Sequence, residues 1–541
     1  MPDLRLGPLL RYVDDDRVTV WVETDEPCEV AVAGHRQRTF AVEGHHYAIL
    51  TVEGQTGQPY DVTLDGDRVW PPAGSAYPVS RLGIVRGQRT RLVIGSCRTI
   101  LGDEEDSSDP DTIDALREYA EQLAAGNGGD PADLPDLLVF LGDQVYDRQG
   151  SPATREFIRS RRSADDQPEA QDFEEYTRLY WEAWSEPAVR WLLSTVPSIM
   201  IFDDHDIVDN WNTSEAWVEE MRRTPGWRER ITSGLMAYWL YQHLGNLDPD
   251  ALADDGLLRA LRDSDDDGRP LREFAAASDA GTYGTPGAQW SFARDVGDIR
   301  VAMVDSRNGR CLAEGRREML DEDEWAWLEE QARGDVRHLV IGTSVPFLLP
   351  RGLHRYESFV DAICQGAWGR WFVPVGERLR RDLQFNKWAA FPNSFSRLMS
   401  LVQEVATGQH APQSVLVLSG DVHYSYIARL AGRGSPIHQV VSTPLCYDLE
   451  RTIQGGFRAG MSPLGARLGD MLARLARRPP PEDDWQLTTG PWFLNVIATL
   501  EFDGDRATAR LERTQVGDPG ERLAVVAEQD LAPAMSAATE R

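Results

Sequence analysis

The feature that most constrains the fold is Leu137-Leu138-Val139-Phe140-Leu141, a continuous apolar run cut off by Gly142-Asp143. Continuous rather than alternating apolarity predicts a strand buried on both faces, as in a parallel sheet with helices on each side. Asp143 then falls at the carboxyl end of the strand, where open α/β sheets gather their ligands. The event recurs. Arg91 to Gly95 leads into Ser96-Cys97, Ser198 to Phe202 into Asp203-Asp204-His205-Asp206, and Ser414 to Leu418 into Ser419-Gly420-Asp421-Val422-His423. Four buried strands thus present thiol, carboxylate and imidazole donors at one end, the donor types a metal needs. Carboxylates at the ends of buried strands are costly unless something positive compensates. A dinuclear metal site is the leading reading.

Strands and helices keep alternating through most of the chain, which predicts one α/β domain over residues 87–515. Asp111 to Ala125 has a helical apolar pattern closed by Gly126-Asn127-Gly128-Gly129. Ile299 to Arg307 and His338 to Ser344 read as further strands, joined through a helix from Glu322 to Ala332, and Trp492 to Leu500 and Ala507 to Arg513 as closing strands. The stripe Phe173, Tyr176, Leu179, Tyr180, Trp184, Val189, Leu192, Leu193 reads as core, and 215–275 as a long helical insert. Within that insert Asp263 to Gly268 begins like a calcium-binding loop. Phe274 at the twelfth position and Pro270 make it an acidic surface turn instead. Trp368, Trp371 and Trp388 read as core packing. The arginine-rich amphipathic stretch 456–484, ending in Pro479-Pro480-Pro481, reads as a surface helix and stiff linker rather than a membrane contact. Residues 1–86 carry short β-branched runs between turn residues, a small β-sandwich, with His35, His45 and His46 as exposed loop histidines. Residues 516–541 form a tail with little pattern.

Charge and cysteine usage narrow the function. In 541 residues, 56 basic against 87 acidic side chains leave a net charge of −31, which disfavours a stable nucleic-acid partner. Lys387 is the sole lysine. Five cysteines without a C-x-x-C pair suit a reducing compartment, and the opening Met1-Pro2-Asp3 is not a leader, so a cytoplasmic location is expected. No apolar run approaches a membrane span. Oligomeric state is not legible.

Gly142-Asp143-x-x-Tyr146, Asp203-Asp204-His205 and Ser419-Gly420-Asp421-Val422-His423 resemble the motifs of the alkaline phosphatase D (PhoD-like) family of calcineurin-like metallophosphoesterases. The resemblance runs from about Arg91 to the strands before Gln515. It implies a metallophosphoesterase-like β-sandwich core flanked by helices, with a small N-terminal all-β domain. It also implies two or more metal ions. Cys97, Asp143, Tyr146 and His423 would form a first site whose thiolate and phenolate favour Fe(3+). Asp143 as bridge with Asp204 and Asp421 would form a second, suited to Ca(2+), Mn(2+) or Mg(2+). His205 stands where the superfamily keeps its catalytic histidine, to polarise phosphate or protonate the leaving alkoxide. Arg98 and Arg307 follow strand ends and either grip nonbridging oxygens or form salt bridges. Asp203 orients the loop, and Asp206 and Asp209 are solvated. The expected activity is hydrolysis of small phosphate esters, monoesters or diesters, by a hydroxide activated between two metals. The rivals are a dinuclear nuclease or nucleotide phosphohydrolase, and a non-catalytic binding protein on the same fold.

Overall fold

The computed structural model describes residues 1–83, 89–100, 110–126, 132–162, 169–264, 268–280 and 288–532. The acidic triplet at 265–267 and the glycine run from Asn127 lie outside these residues.

Residues 1–83 form two four-stranded antiparallel sheets. Arg17–Thr24 shows why they bury two surfaces. Val18, Val20 and Val22 point into the small domain's own core, whereas Trp21 faces the rest of the chain. There Trp21 and Tyr47 pack on Tyr241, with ring centroids 5.3 and 5.8 Å away. Polar contacts close the same seam. Arg11 is fully buried and donates to the Gln242 carbonyl at 2.7 Å. His45 departs from the exposed-loop expectation. It is the first residue of the strand His45–Glu53, is only 3 % exposed, and lies between Glu23 (2.9 Å) and Glu174 (2.7 Å). Glu174 belongs to the helix Phe173–Ser185, so this imidazole spans the boundary between the two domains.

The remaining chain builds two mixed sheets. In the first, Arg89–Gly95, Leu137–Leu141 and Ser198–Ile201 run parallel, and Val496–Asp503, Arg506–Thr514 and Leu523–Ala532 extend it antiparallel. In the second, Ile299–Val304, His338–Thr343, Ser414–Ser419 and Ile437–Val441 run parallel, with antiparallel strands at the edges. One apolar core joins the sheets: it contains Leu92, Val139 and Ile199 of the first and Val301, Val340 and Leu416 of the second. Two sheets sharing one core, with helices outside them, make the expected β-sandwich. The aromatic stripe is core as expected, split between Phe173–Ser185 and Pro187–Thr195.

Two further expectations fail. The patternless tail contains the strand Leu523–Ala532. Its residues are mostly half-exposed because it is an edge strand, so no clean alternation marks it. Of the three tryptophans expected in the core, only Trp388 is buried; Trp368 is 39 % and Trp371 82 % exposed. The arginine-rich segment is a pair of surface helices, Arg451–Met461 and Pro463–Leu475.

Candidate metal centre

The parallel strands of both sheets end at the same place. Gly142 and Gly420 let them meet. A Cβ on Gly142 would overlap Asp203 Cβ, and Gly142 sits at φ +103°, where side chains are strained. A Cβ on Gly420 would overlap the Ser96 side chain. Past these glycines the backbone turns sharply. Cys97, Asp143, Asp421 and His423 all adopt left-handed φ, between +54° and +65°. Each such non-glycine residue costs about 1 kcal/mol or more, and strain of this kind concentrates at functional sites. Four of the six predicted metal ligands carry it.

All six predicted ligands fall in one contact network. Cys97 Sγ lies 3.4 Å from Asp143 Oδ2, and Tyr146 Oη lies 3.4 Å from the same oxygen and 3.2 Å from His423 Nε2. Donor atoms of Cys97, Asp143 and His423 all lie within 4.8 Å of one another, as do those of Asp143, Asp204 and His205, and those of Asp203, Asp204 and Asp421. Asp143 thus links the first two groups, and Asp204 the last two.

Their electrostatics differ. Among the described residues no Arg or Lys side chain pairs with Asp143. Burial, followed by the nearby carboxylates, pushes its carboxyl well above the ordinary range. Burial and then Asp143 push the Cys97 thiol up. Burial lowers the His423 imidazole to about 4, so it is a neutral donor. His205 opposes the rise at Asp143 but does not cancel it, so a thiol, phenol, carboxyl and neutral imidazole crowded together without an Arg or Lys form a donor set that a bound cation would relieve. The third group already holds cations. Arg307 contacts Asp203 through Nε and reaches Asp421 (3.0 Å) and Asp204 (3.3 Å) through Nη2. Lys387 Nζ lies 2.9 Å from Asp421 Oδ2. Burial alone would raise the Asp204 carboxyl, but Arg307, then His205 and Lys387, lower it to about 2. A metal at Asp204 and Asp421 would share these oxygens with two protein cations.

The two predicted arginines part company. Arg307 is at the centre, but Nε and Nη2 are committed to carboxylates; only Nη1, which is buried, has no hydrogen-bond partner. A bidentate grip is therefore not available. Arg98 does not face the cluster. Its guanidinium is buried, binds Asp114 at 2.6 Å and donates to the Ala183 carbonyl. Since Asp114 caps the helix Ala115–Ala125, Arg98 ties that helix down.

His205 is held by a relay. Its Nδ1 lies 3.3 Å from Asp147 Oδ1, Asp147 is paired with Arg230 from the helical insert, and its ring stacks on Tyr146 at 4.3 Å. Asp206 and Asp209 are not solvated. Asp206 is fully buried and accepts the backbone N–H groups of Asp143, Gln144, Val145 and Asp203, which fixes both ligand loops. Asp209 pairs with Arg148 at 2.9 Å.

Sequence reasoning missed several contributors. Tyr447 stacks on His423 at 3.9 Å. The Asn210 backbone N–H donates to Asp204, while its own Oδ1 is buried without a partner. Lys387 follows no strand, but being the sole lysine was a signal in plain sight.

A family model described as PhoD-like phosphatase matches residues 127–449, and a domain of unknown function (DUF7800) matches residues 1–82. A search of curated proteins by sequence finds no match. Among solved structures, one titled "Structure of PhoD" aligns with a TM-score of 0.56 at 12 % identity, covering 97 % of this chain and 92 % of that one. A purple acid phosphatase, PPD1 from yellow lupin (Lupinus luteus) seeds, aligns with a TM-score of 0.44 at 12 % identity, covering 97 % and 74 %.

Proposed function

We propose, since the chain belongs to the PhoD-like phosphatase family, that it is a metal-dependent hydrolase of small phosphate esters. The observation that carries the reading is the first donor group: Cys97, Asp143, Tyr146 and His423 converge, three of them on left-handed backbone, and among the described residues no Arg or Lys pairs with Asp143. These four residues would hold one ion, and their thiol and phenol favour Fe(3+). Asp143, Asp204 and Asp421 would hold a second, harder ion such as Ca(2+), Mn(2+) or Mg(2+), in competition with Arg307 and Lys387. Such ions, when bound, polarise phosphoryl oxygens and make water nucleophilic at neutral pH.

The chain's own groups do the rest. Arg307 Nη1 donates to a nonbridging oxygen. His205, fixed through Nδ1 by Asp147, has Nε2, 3.8 Å from Asp209 Oδ1, to protonate the leaving alkoxide. Tyr447 and Tyr146 hold the planes of His423 and His205. A panel of monoesters and diesters, run beside metal analysis by mass spectrometry, tests the reading. The native protein should bind metal and turn over at least one ester class. Asp143→Asn should lose at least one ion and about 100-fold or more of kcat/KM. Full metal content and turnover in that variant would end the proposal.

A further inference from the structure

The helix Pro463–Leu475 packs inside out. Its buried side is Gly469 and Ala473, set against the helix Arg351–Cys364. A Cβ on Gly469 would lie 3.1 Å from the Gly352 carbonyl, so small residues are what allow the approach. The large apolar residues point the other way: Leu464 is 76 %, Leu468 45 %, Met471 50 % and Leu475 61 % exposed. Their spacing of four, three and four residues aligns them on one stripe. Arg467 and Arg474 fall along one edge of that stripe and are exposed.

The stripe continues onto the neighbouring loop. Trp368 Nε1 donates to the Leu475 carbonyl at 3.4 Å, and its ring meets Phe372 at 5.9 Å. Trp371, between them in sequence, is the most exposed tryptophan. A contiguous apolar surface of this kind marks an interaction site.

Charge selects the partner. Over residues 451–478 there are six arginines and one acidic residue, Asp470, a local balance of +5 in a chain of −31. Asp470 is itself spent on Arg355 at 2.8 Å, and Arg478 on Asp361 at 2.7 Å. Screening over about 8 Å at physiological ionic strength hides the distant carboxylates from a surface approaching this face. Aliphatic side chains and tryptophan rimmed by arginine are what an interfacial helix offers an anionic bilayer. A second copy of the chain would instead bring the same positive face against itself.

We propose that the helix pair 451–475 and the loop at Trp371 dock the protein on an anionic lipid surface. The first helix of the pair begins close to the centre in sequence: Tyr447 is four residues from Arg451, at most about 14 Å of chain.

The experiment uses the full chain with sedimenting vesicles of phosphatidylcholine alone, or of equal parts phosphatidylcholine and phosphatidylglycerol. The expected result is at least about tenfold tighter binding to the anionic vesicles, weakening as salt rises. Leu468→Asp with Met471→Asp should remove that binding. Arg467→Glu with Arg474→Glu should remove the anionic preference. Both variants should keep the native melting curve and the native hydrolysis of a soluble ester, since none of these residues touches the cluster. No sedimentation with either vesicle, equal binding to both, or unchanged binding by both variants would overturn the proposal. So would a concentration-dependent dimer, seen by light scattering, that Leu468→Asp disperses.

Discussion

Raising the pH should loosen the joint between the β-sandwich and the phosphatase domain, and the cause is one side chain. Burial alone would lower the His45 pKa, yet hydrogen bonds to Glu174 and Glu23 lift it to about 9 from 6.5. The same contact holds the Glu174 carboxyl below its ordinary value. A group whose folded pKa is raised contributes stability that is fully present below the unfolded value, here 6.5. That contribution is lost as pH climbs through about 9. At about 1.36 kcal/mol per pH unit, the difference sets a ceiling of about 3 kcal/mol. Unfolding entropy of roughly 2.1 cal/mol/K per residue converts this to about 3 °C in Tm for a chain of this length. The assay is a set of thermal melts from pH 6 to 10 on the native protein and His45→Gln. The native Tm should fall by about 3 °C more than the variant's across that window. Parallel pH profiles would refute the reasoning, even if the variant were less stable throughout, because a packing loss has no pH dependence of its own.

Other predictions concern the centre. His205→Ala should slow esters with poor leaving groups by about 10²-fold or more and spare activated aryl esters, which need no proton; equal losses across a leaving-group series would remove the acid role. Protein reconstituted with iron should show a visible charge-transfer band that Tyr146→Phe abolishes or shifts strongly and Asp204→Asn shifts less. An iron-loaded protein without a band would place Tyr146 and Cys97 outside the ligand set. Gly142→Ala should lower Tm and activity together, by about 1–3 kcal/mol in stability, because its Cβ has no room beside Asp203. A variant with native melting and kinetics would show that the strand ends can part.

What could be read from the sequence was what local chemistry writes down. Asp143, Asp204, Asp421 and His423 stand out because a polar residue at the end of an unbroken apolar strand has few structural uses. What stayed hidden depends on the fold. Asp206 looks like one more exposed acid beside Asp204, and only the folded loops reveal that it gathers four backbone amides. Arg230 lies within a helical insert with no visible link to His205, and tertiary packing alone brings it to Asp147. Arg98 and Arg307 were equivalent on paper, each just past a strand. Which one meets the carboxylates depends on where the neighbouring helix cap lies. The exposed Trp371 defeated a pattern argument that assigns large aromatic residues to cores by default.

Lys387 carries the only ε-amino group in the chain, and it lies against Asp421, 8 % exposed. Amine chemistry, whether an acylating reagent or an enzyme that modifies lysines, therefore has a single side-chain address on this protein, beside the candidate metal ligands. Because that amine's partner is a candidate ligand, a cation that draws Asp421 away, or a phosphate that draws the amine itself, changes the amine's reactivity. The mass of one peptide then reports occupancy of the centre without an assay of turnover.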